Sequence, residues 1–312
     1  MNAIKADLSV NILMATYNGE LYLDEQIATI YNQDISNLNL IVSDDGSSDK
    51  TSLILDKWKA KWNKGKFITL SGPGRGYSEN FRSLLSQSDI DADYTAFCDQ
   101  DDVWHEGKLR VAIKAIESCE GERPGLYCSR TRLIDEAGAP VGFSPKFRRP
   151  PSFKNAIVQS IGGGNTMVLN KAAFELAAES ARRTGFVSHD WWCYMLVAGA
   201  GGMVIYDPTP HIGYRQHAAN LIGKNTGVLA RVKRIKRLLE GQLGKWNDQN
   251  MAALQACDDL LTDEARRVIM EYSNIRSRNL KERIASLRRS GLYRQSKLGT
   301  VALFVSVILG KL

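Results

Sequence analysis

The amino-acid sequence predicts an α/β protein built on a mostly parallel sheet. In the first hundred residues, short apolar runs alternate with segments whose apolar residues recur at helical spacing. Polar stretches rich in Asp, Asn and Gly directly follow three of these apolar runs. Because ligands collect at the carboxyl ends of the strands in such sheets, these stretches are the first candidates for a binding site.

The first hundred residues predict four strands joined by helices. An apolar run ends at the turn-like sequence Tyr17-Asn18-Gly19, and Leu23, Ile27 and Ile30 then recur at helical spacing. The same alternation continues along the chain. Strands are predicted at residues 8–15, 38–42, 66–70 and 94–98, and helices at residues 20–32, 51–61 and from 79 onward.

The pattern is looser after residue 104. The predicted elements are a helix at 108–119, a strand at 125–133, a Gly-rich turn and strand at 161–169, and a strand at 203–206. Residues 208–223 are predicted to be irregular. Residues 140–151 are predicted to form a Pro- and Arg-containing loop that is long enough to touch a substrate.

The net charge of +7 is concentrated in the last part of the chain. Residues 1–225 carry 24 Lys and Arg against 26 Asp and Glu, whereas residues 226–312 carry 17 against 8. We therefore expect a core domain at 1–225 and a basic helical extension at 226–312. Its apolar run at 298–309 is shorter than the roughly 20 residues of a spanning helix. This run can lie in a membrane interface beside anionic headgroups, or pack back onto the core domain.

The five cysteines do not indicate a disulfide framework or a zinc site. They form no CxxC pair, their number is odd, and no secretory signal precedes them. We expect reduced thiols in a cytosolic protein.

Residues 97–104 (FCDQDDVW) place three carboxylates directly after the fourth predicted strand. Hard oxygen ligands at this spacing suit Mg²⁺ or Mn²⁺, with further coordination positions left for water and phosphate. The alternative is an acidic loop that caps the next helix. The residues alone leave both interpretations open.

Three other polar stretches have both a functional and a structural interpretation. Asp44 and Asp45 can bind a ligand at a strand end or cap the following helix. Residues 72–76 (GPGRG) lack the GK[ST] of a Walker A loop, so a flexible loop is expected. Gly164 and Asn165 allow close approach of a ligand to the backbone, or make a tight turn.

Two further segments contain histidine. Asp190 follows His189 and precedes two tryptophans, so it is either a helix cap or a general base, with Trp191 and Trp192 facing a sugar-sized acceptor. His217 is structural, or joins a metal as a neutral imidazole. The chain has no GxSxG motif and no Cys/His pairing of recognisable spacing, which argues against hydrolase chemistry.

Taken in order, six segments resemble the family 2 glycosyltransferases, in particular the bacterial branch that includes rhamnosyltransferases of cell-surface polysaccharide assembly. The resemblance covers about residues 8–225. The segments are ILMATYNGELYLDEQIATIYNQ, LIVSDDGSSDKT, GYSENF, FCDQDDVW, HDWW and YRQHAANLIG. It implies a GT-A architecture, which is one Rossmann-like α/β domain. It also implies transfer of a sugar with inversion, from a nucleotide diphosphate donor and with Mg²⁺ or Mn²⁺.

The resemblance implies roles for individual residues. Asp190 matches the catalytic base, and Asp99 and Asp101 match the DxD pair, with Asp101 as the direct metal ligand. His217 matches a position that reaches the metal or the diphosphate. The residues that would line the nucleotide-sugar pocket are Thr16, Tyr17, Asn18, Asp44, Asp45, Arg75, Asn80, Asp99 and Gln100.

Two departures from the family pattern affect these roles. The acidic motif is DQD followed by a further acid, so Asp102 can share the metal. Glu79 stands where many relatives carry Arg, which leaves Arg75 or Arg215 to contact the diphosphate.

The function that the resemblance implies is an inverting, metal-dependent glycosyltransferase of lipopolysaccharide, O-antigen or capsule biosynthesis. The favoured donor is dTDP-L-rhamnose and the acceptor is a saccharide or a lipid-linked sugar. A cytoplasmic protein held on the inner face of the membrane would suit such an acceptor. The alternatives are a UDP-hexose-dependent enzyme and a non-catalytic sugar-nucleotide-binding homologue. No motif supports nucleic-acid binding.

Overall fold

The computed structural model describes residues 8–87, 91–119, 123–217 and 242–310. The strands are β1 (Ser9–Thr16), β2 (Asn37–Asp44), β3 (Phe67–Ser71), β4 (Tyr94–Cys98), β5 (Val103–Trp104), β6 (Gly125–Ser129), β7 (Arg132–Ile134), β8 (Pro140–Phe143), β9 (Val168–Asn170), β10 (Met203–Asp207) and β11 (Ile212–Arg215). The helices are α1 (Leu23–Tyr31), α2 (Thr51–Lys61), α3 (Tyr77–Leu85), α4 (Lys108–Glu117), α5 (Phe153–Ala156), α6 (Lys171–Arg183), α7 (His189–Gly199), α8 (Gln242–Ala256), α9 (Asp263–Asn274), α10 (Leu280–Ser290) and α11 (Lys297–Ile308).

The main sheet has seven strands in the order β10-β6-β9-β4-β1-β2-β3. Strand β1 pairs in parallel with both β2 and β4, and β2 pairs in parallel with β3. Only β9, among the strands described in this sheet, runs antiparallel to its neighbours. The prediction of an α/β fold on a mostly parallel sheet is confirmed.

The sheet is covered on both faces, as the period of two along β1 requires. Val10, Ile12 and Met14 contribute to a core that also contains the apolar residues of α1, α2 and α4. Leu13 contributes to a second core with α3, α6 and α7. Burial on both faces fixes the register, because a slip by one residue would exchange the two sets of side chains.

That register brings the polar strand ends together. Thr16 lies opposite Asp44, and Asp44 lies opposite Ser71. Met14 lies opposite Cys98, so the acidic segment after β4 emerges beside the end of β1. The polar stretches that the sequence places after separate strands therefore share one edge of the sheet.

The structure differs from the sequence-based elements in the middle of the chain. The segment predicted as one strand at 125–133 is divided between β6 in the main sheet and β7 in a smaller sheet of order β5-β11-β7-β8. The predicted loop at 140–151 begins with β8, and the segment at 208–223 contains β11. These strands have only three or four residues, too few to show a clear alternation. Helix α6 was not predicted.

The C-terminal helices pack on the second core, which contains Leu13 and residues of α3, α6 and α7, and do not form a separate core. Leu254 of α8, Tyr272 of α9, Leu287 of α10 and Leu303 of α11 belong to the same buried cluster as Phe153. The basic run at residues 231–239 lies outside the described residues. Within the described ranges, none of the helices has the length and apolar character needed to cross a bilayer.

This shared core makes the folding of the two parts interdependent. Leu254→Ala should destabilise the protein by about 2–5 kcal/mol, because Leu254 is fully buried and its truncation leaves a cavity. Urea unfolding followed by tryptophan fluorescence and by circular dichroism should show one coincident transition at lower urea. The half-exposed Leu280→Ala is the control and should change stability by about 0.5 kcal/mol or less. Two separate transitions, with only one displaced, would show that the helical extension folds independently.

Candidate active site

Carboxyl groups from distant parts of the chain meet where β4 ends. Asp99 is the first residue after β4, and Asp190 lies in the first turn of α7. Burial, together with the charges of Asp101 and Asp190, raises the pKa of Asp99 to about 7. The folded chain therefore brings the predicted base near the predicted DxD pair, although 91 positions separate Asp99 from Asp190.

Asp101 and His217 are brought together by the loop that follows β11. His217 Nε2 lies 2.7 Å from Asp101 Oδ2. The imidazole also stacks on the ring of Tyr22, with ring centroids 5.4 Å apart. Two of the three residues that the family resemblance predicts as metal contacts are thus in direct contact with each other.

Asp102 has a different environment from its acidic neighbours. It is buried, and it accepts hydrogen bonds from Asn165 Nδ2 (2.6 Å) and from the backbone N–H of Arg215 (3.2 Å). Burial and the charges of Asp101 and Asp99 raise the pKa of Asp102. We therefore assign Asp102 an anchoring role instead of a share in the metal, and Asn165 a structural contact instead of an acceptor contact.

Arg215 joins the acidic loop to two other parts of the chain. Its Nε donates to the backbone oxygen of Asp101 (3.0 Å), and its Nη2 donates to Glu25 (2.6 Å). Nη1 donates to the backbone oxygen of Glu136 (2.8 Å), and the guanidinium lies over the ring of Tyr22. These contacts occupy a fully buried side chain, which corrects the expectation that Arg215 contacts a diphosphate.

Gln100, between the two acids of the DxD pair, fixes their loop to the end of β1. Its Oε1 accepts hydrogen bonds from Thr16 Oγ1 (2.6 Å) and the N–H of Tyr17 (2.8 Å), and its Nε2 donates to the Tyr17 oxygen (3.0 Å). Gly19 packs closely against the same amide, and a Cβ there would come within 2.7 Å of Oε1. The bond between Thr16 and Gln100 therefore holds the acidic loop against the end of β1.

The ends of β1 and β2 are linked by a second set of hydrogen bonds. Asn18 has a positive φ of 48°, and its N–H donates to Ser47 Oγ (2.8 Å). Its side chain accepts from the N–H of Ser48 (2.9 Å). Asp44 accepts from both the N–H and the hydroxyl of Ser47. Asp44 is thus a turn-forming residue that is only half-buried, whereas Tyr17 is well exposed at this edge.

Asp45 holds the glycine-containing loop that follows β3. Its carboxylate accepts from the N–H groups of Gly74 (2.7 Å) and Gly76 (2.8 Å). Arg75, between those glycines, is exposed. Asn80 is buried and donates to the backbone oxygen of Ser43 (2.9 Å), which ties α3 to the end of β2. The loop is therefore anchored on both sides of Arg75.

Tyr77 belongs to this site although the sequence did not indicate it. Burial and the charges of Asp190 and Asp99 raise the pKa of Tyr77 to about 12. Its phenol therefore lies near both carboxyl groups, at the start of α3. The sequence feature that could have identified Tyr77 was its position in the GYSENF segment, three residues before Asn80.

The two tryptophans after Asp190 are core residues. Trp191 Nε1 donates to the backbone oxygen of Ala156 (2.7 Å), and Trp192 Nε1 donates to Ser180 Oγ (2.9 Å). Both indoles are buried, and Trp192 is 0% exposed. This packing leaves neither ring available to an acceptor, which corrects the expectation from the sequence.

His189 lies beneath the site in an apolar environment. Its ring stacks on Phe81, with centroids 3.7 Å apart, and meets the edge of Phe97 at 4.8 Å. Burial lowers the pKa of His189 to about 4, so the ring is neutral at pH 7. A Cβ at Gly164 would lie 1.9 Å from Nε2 of His189, so only glycine fits there. The lack of a side chain at Gly164 therefore allows the His189 ring to pack against the backbone there.

Asp101 and His217 offer a carboxylate oxygen and an imidazole nitrogen, 2.7 Å apart, where the segment after β4 meets the segment after β11. In the parts of the chain that the structure describes, no group of three or more His, Cys, Asp or Glu side chains is placed to hold a metal ion. Mg²⁺ commonly takes one or two carboxylates from a protein and its remaining ligands from water and phosphate, so an open donor set suits it.

Residues 11–141, which include β1, β2, β4 and the DxD segment, match the family described as Glycosyl transferase family 2. The chain is thus similar to this family over 131 of its 312 residues. It is also similar to the dTDP-rhamnosyl transferase RfbG of Shigella flexneri, with 28% identity over 236 residues. That alignment covers 71% of this chain and 78% of RfbG.

Solved structures share the fold of this chain. Residues 1–349 of S. aureus TarS, in complex with UDP-GlcNAc, align with a TM-score of 0.54 and 15% identity, over 92% of this chain and 93% of that TarS chain. The mannosyltransferase PcManGT from Pyrobaculum calidifontis, in complex with GDP-Man and Mn²⁺, aligns with a TM-score of 0.51 and 16% identity. That alignment covers 98% of this chain and 89% of PcManGT. The predicted GT-A architecture is confirmed.

The neutral His189 makes stability depend on pH. Its folded pKa of about 4 lies below the ordinary value of 6.5, so below pH 6.5 the unfolded chain binds a proton that the native chain does not. This contribution to stability is present above pH 6.5 and is lost as the pH falls toward 4. It amounts to about 2 kcal/mol between pH 7 and pH 5.

Urea unfolding at pH 7 and pH 5 checks this expectation. His189→Gln should remove about 2 kcal/mol of the pH dependence that the wild type shows. The half-buried His211→Gln should keep that dependence. An unchanged pH dependence in His189→Gln would contradict a depressed pKa for His189.

Proposed function

We propose that the protein is an inverting, metal-dependent glycosyltransferase in which Asp190 is the catalytic base. One observation carries this proposal: the rings of His189 and Phe97 lie 4.8 Å apart, so Asp190, the residue after His189, lies beside the end of β4, where Asp99 begins the acidic segment. A base and a cation-binding pair at the carboxyl end of one sheet are what the transfer of a sugar from a nucleotide diphosphate requires.

The residues have separate roles in this proposal. Asp190 takes the proton of the acceptor hydroxyl as that oxygen attacks the sugar, on the face opposite the leaving group. Asp101 and His217, with Asp99, hold Mg²⁺ or Mn²⁺ against the diphosphate, and a bound cation offsets the negative charge of the leaving group. In this proposal the exposed Arg75 contacts the same diphosphate; the loop that carries it is held by Asp45.

The nucleotide pocket lies, in this proposal, where β1 and β2 end. Thr16, Tyr17, Asn18 and Asp44 form its wall, and their hydrogen bonds to Gln100 and Ser47 give it a fixed shape before a ligand binds. Asn80 supports the wall by binding the backbone of Ser43. Preorganised groups of this kind reduce the cost of ordering on binding.

The proposed donor is dTDP-L-rhamnose, supported by the similarity to RfbG. UDP-hexoses are the alternative donors. We propose a saccharide or lipid-linked acceptor in cell-surface polysaccharide biosynthesis. We also propose a cytoplasmic protein, peripheral to the inner face of the membrane, in which residues 1–225 carry catalysis and residues 226–312 form the extension.

Asp190→Asn tests the base. The transfer rate should fall about 10²- to 10⁴-fold, because the amide cannot accept the hydroxyl proton, while the affinity for the donor nucleotide stays within about twofold. Asp56→Asn, an exposed residue of α2, is the control and should behave as the wild type. Transfer that survives in Asp190→Asn would remove Asp190 from the mechanism. Nucleotide binding without transfer in the wild type would instead favour the non-catalytic homologue.

Asp101→Ala tests the metal site and the donor together. A thermal-shift panel of dTDP-L-rhamnose, UDP-glucose and GDP-mannose, each with Mn²⁺, Mg²⁺ or EDTA, reports binding without requiring turnover. The wild type should be stabilised most by dTDP-L-rhamnose with a divalent cation, and Asp101→Ala should lose most of that stabilisation. Asp56→Ala should retain it. Equal stabilisation in EDTA would contradict the metal role, and a larger shift with UDP-glucose would change the assigned donor.

A further inference from the structure

The exposed side of α11 and the neighbouring basic loop at residues 144–151 form one surface, which we call the basic-apolar surface. We propose that it binds a membrane rich in anionic phospholipid and thereby holds the segment at residues 158–164, which leads to Asp190, beside the lipid. The proposal rests on the proposed function only where it concerns a lipid-linked acceptor. Binding of the surface to lipid is independent of catalysis.

The apolar part of the surface lies on one side of α11. Leu298, Val301, Val305 and Leu309 follow one another at spacings of three or four residues, so they share a helix face. Leu298 is 83% exposed and Leu309 is 60% exposed. On the opposite side, Leu303 and Val307 are buried in the main core. One face of α11 thus packs against the core, and the opposite face exposes leucine and valine side chains to solvent.

The basic loop is locked against the start of α11. Gln295, two residues before α11, exchanges hydrogen bonds with the backbone of Arg149: Arg149 N–H donates to Gln295 Oε1, and Gln295 Nε2 donates to the Arg149 oxygen, each at 3.1 Å. The Arg149 guanidinium lies 3.6 Å from the centroid of the Tyr293 ring. Lys146 and Arg148 are exposed in this loop, so positive charge borders the turn that carries Leu298.

The two segments that form the surface lack acidic residues. Residues 137–174 contain no Asp or Glu, and neither do residues 283–310. Lys146, Arg148 and Arg149 come from the first segment, and Arg288 and Lys297 from the second. Where the segments meet, the charge is therefore positive beside an apolar face, which is the pattern of a helix lying at an anionic lipid surface.

A lipid surface fits these features better than a second copy of the chain. In a symmetric dimer the same patch meets itself, so the basic residues would face one another without acidic partners. An anionic membrane offers opposite charge to the basic loop and an apolar phase to α11. Because the helix has only 12 residues, it is too short to span the bilayer and lies in the interface between lipid and water.

The surface is connected to the segment at residues 158–164, which leads to the proposed base. The backbone N–H of Gln295 donates to Gln159 Oε1 (2.9 Å), and Arg294 Nη1 donates to the Val158 oxygen (3.2 Å). The chain continues from Gln159 to Gly164, which packs on His189 next to Asp190. Docking of α11 therefore fixes the orientation of the segment that leads to the proposed base.

Vesicle co-sedimentation of the full chain tests the proposal. The wild type should bind vesicles of phosphatidylcholine mixed with an equal part of phosphatidylglycerol, and bind pure phosphatidylcholine much more weakly. Lys146→Gln/Arg148→Gln should weaken binding to the anionic vesicles about twentyfold, since each cation near such a surface is worth about fivefold. Leu298→Ser/Val305→Ser should weaken it more than tenfold.

Matched controls carry the same changes elsewhere on the exposed surface. Lys59→Gln/Lys66→Gln removes two charges, and Leu21→Ser/Leu53→Ser removes two apolar side chains. Both controls should bind as the wild type. Equal binding by all four variants, or no vesicle binding by the wild type, would overturn the proposal. A wild-type dimer that Leu298→Ser/Val305→Ser converts to a monomer would also overturn it in favour of a second copy.

The vesicle-binding test can succeed or fail independently of the test of the proposed function. Nucleotide-sugar binding is measured on the same variants by thermal shift without lipid and should be unchanged in all of them. Vesicle binding without any nucleotide-sugar binding would support the basic-apolar surface and contradict the glycosyltransferase proposal.

Discussion

The crowding of carboxyl groups at the end of β4 is the constraint on which the rest of the site depends. Asp99, Asp101, Asp102 and Asp190 approach one another at the edge of a low-dielectric core, where like charges repel strongly. Each of these carboxyl groups has a different environment. Asp102 is buried with two hydrogen-bond donors, Asp101 faces His217, and Asp99 has a raised pKa. In the proposed function, a cation at Asp99 and Asp101 would offset the repulsion that remains.

The contacts that hold this arrangement come from residues with no direct part in the proposed chemistry. Arg215 links the acidic loop to α1 and to the turn after β7, so the small sheet positions one side of the site. Gln100 links the same loop to the end of β1. Asp45 and Asn80 link the ends of β2 and α3. The site is therefore a set of loops whose positions are fixed by rigid strands.

The fold class and the position of the acidic loop could be predicted from the sequence because both depend on local patterns. Alternating apolar runs identified β1, β2, β3 and β4, and the polar residues that follow them then had to share one edge of the sheet. The direction of a side chain depends on tertiary packing, which the sequence does not display. Trp191 and Trp192 turned into the core for this reason, and Asn165 turned toward Asp102. Strands as short as β7 and β11 give too few residues for a periodic signal, so the small sheet was not foreseen.

The central claim is that the carboxylates at the end of β4 bind a divalent cation together with the donor diphosphate. Electron paramagnetic resonance of Mn²⁺ measures this directly, because protein-bound Mn²⁺ loses the sharp six-line signal of the ion in water. In the presence of dTDP, the protein should bind about one Mn²⁺ per chain, with an affinity well above that of dTDP alone for the ion. A Mn²⁺ signal that the protein leaves unchanged, with or without dTDP, would contradict the account.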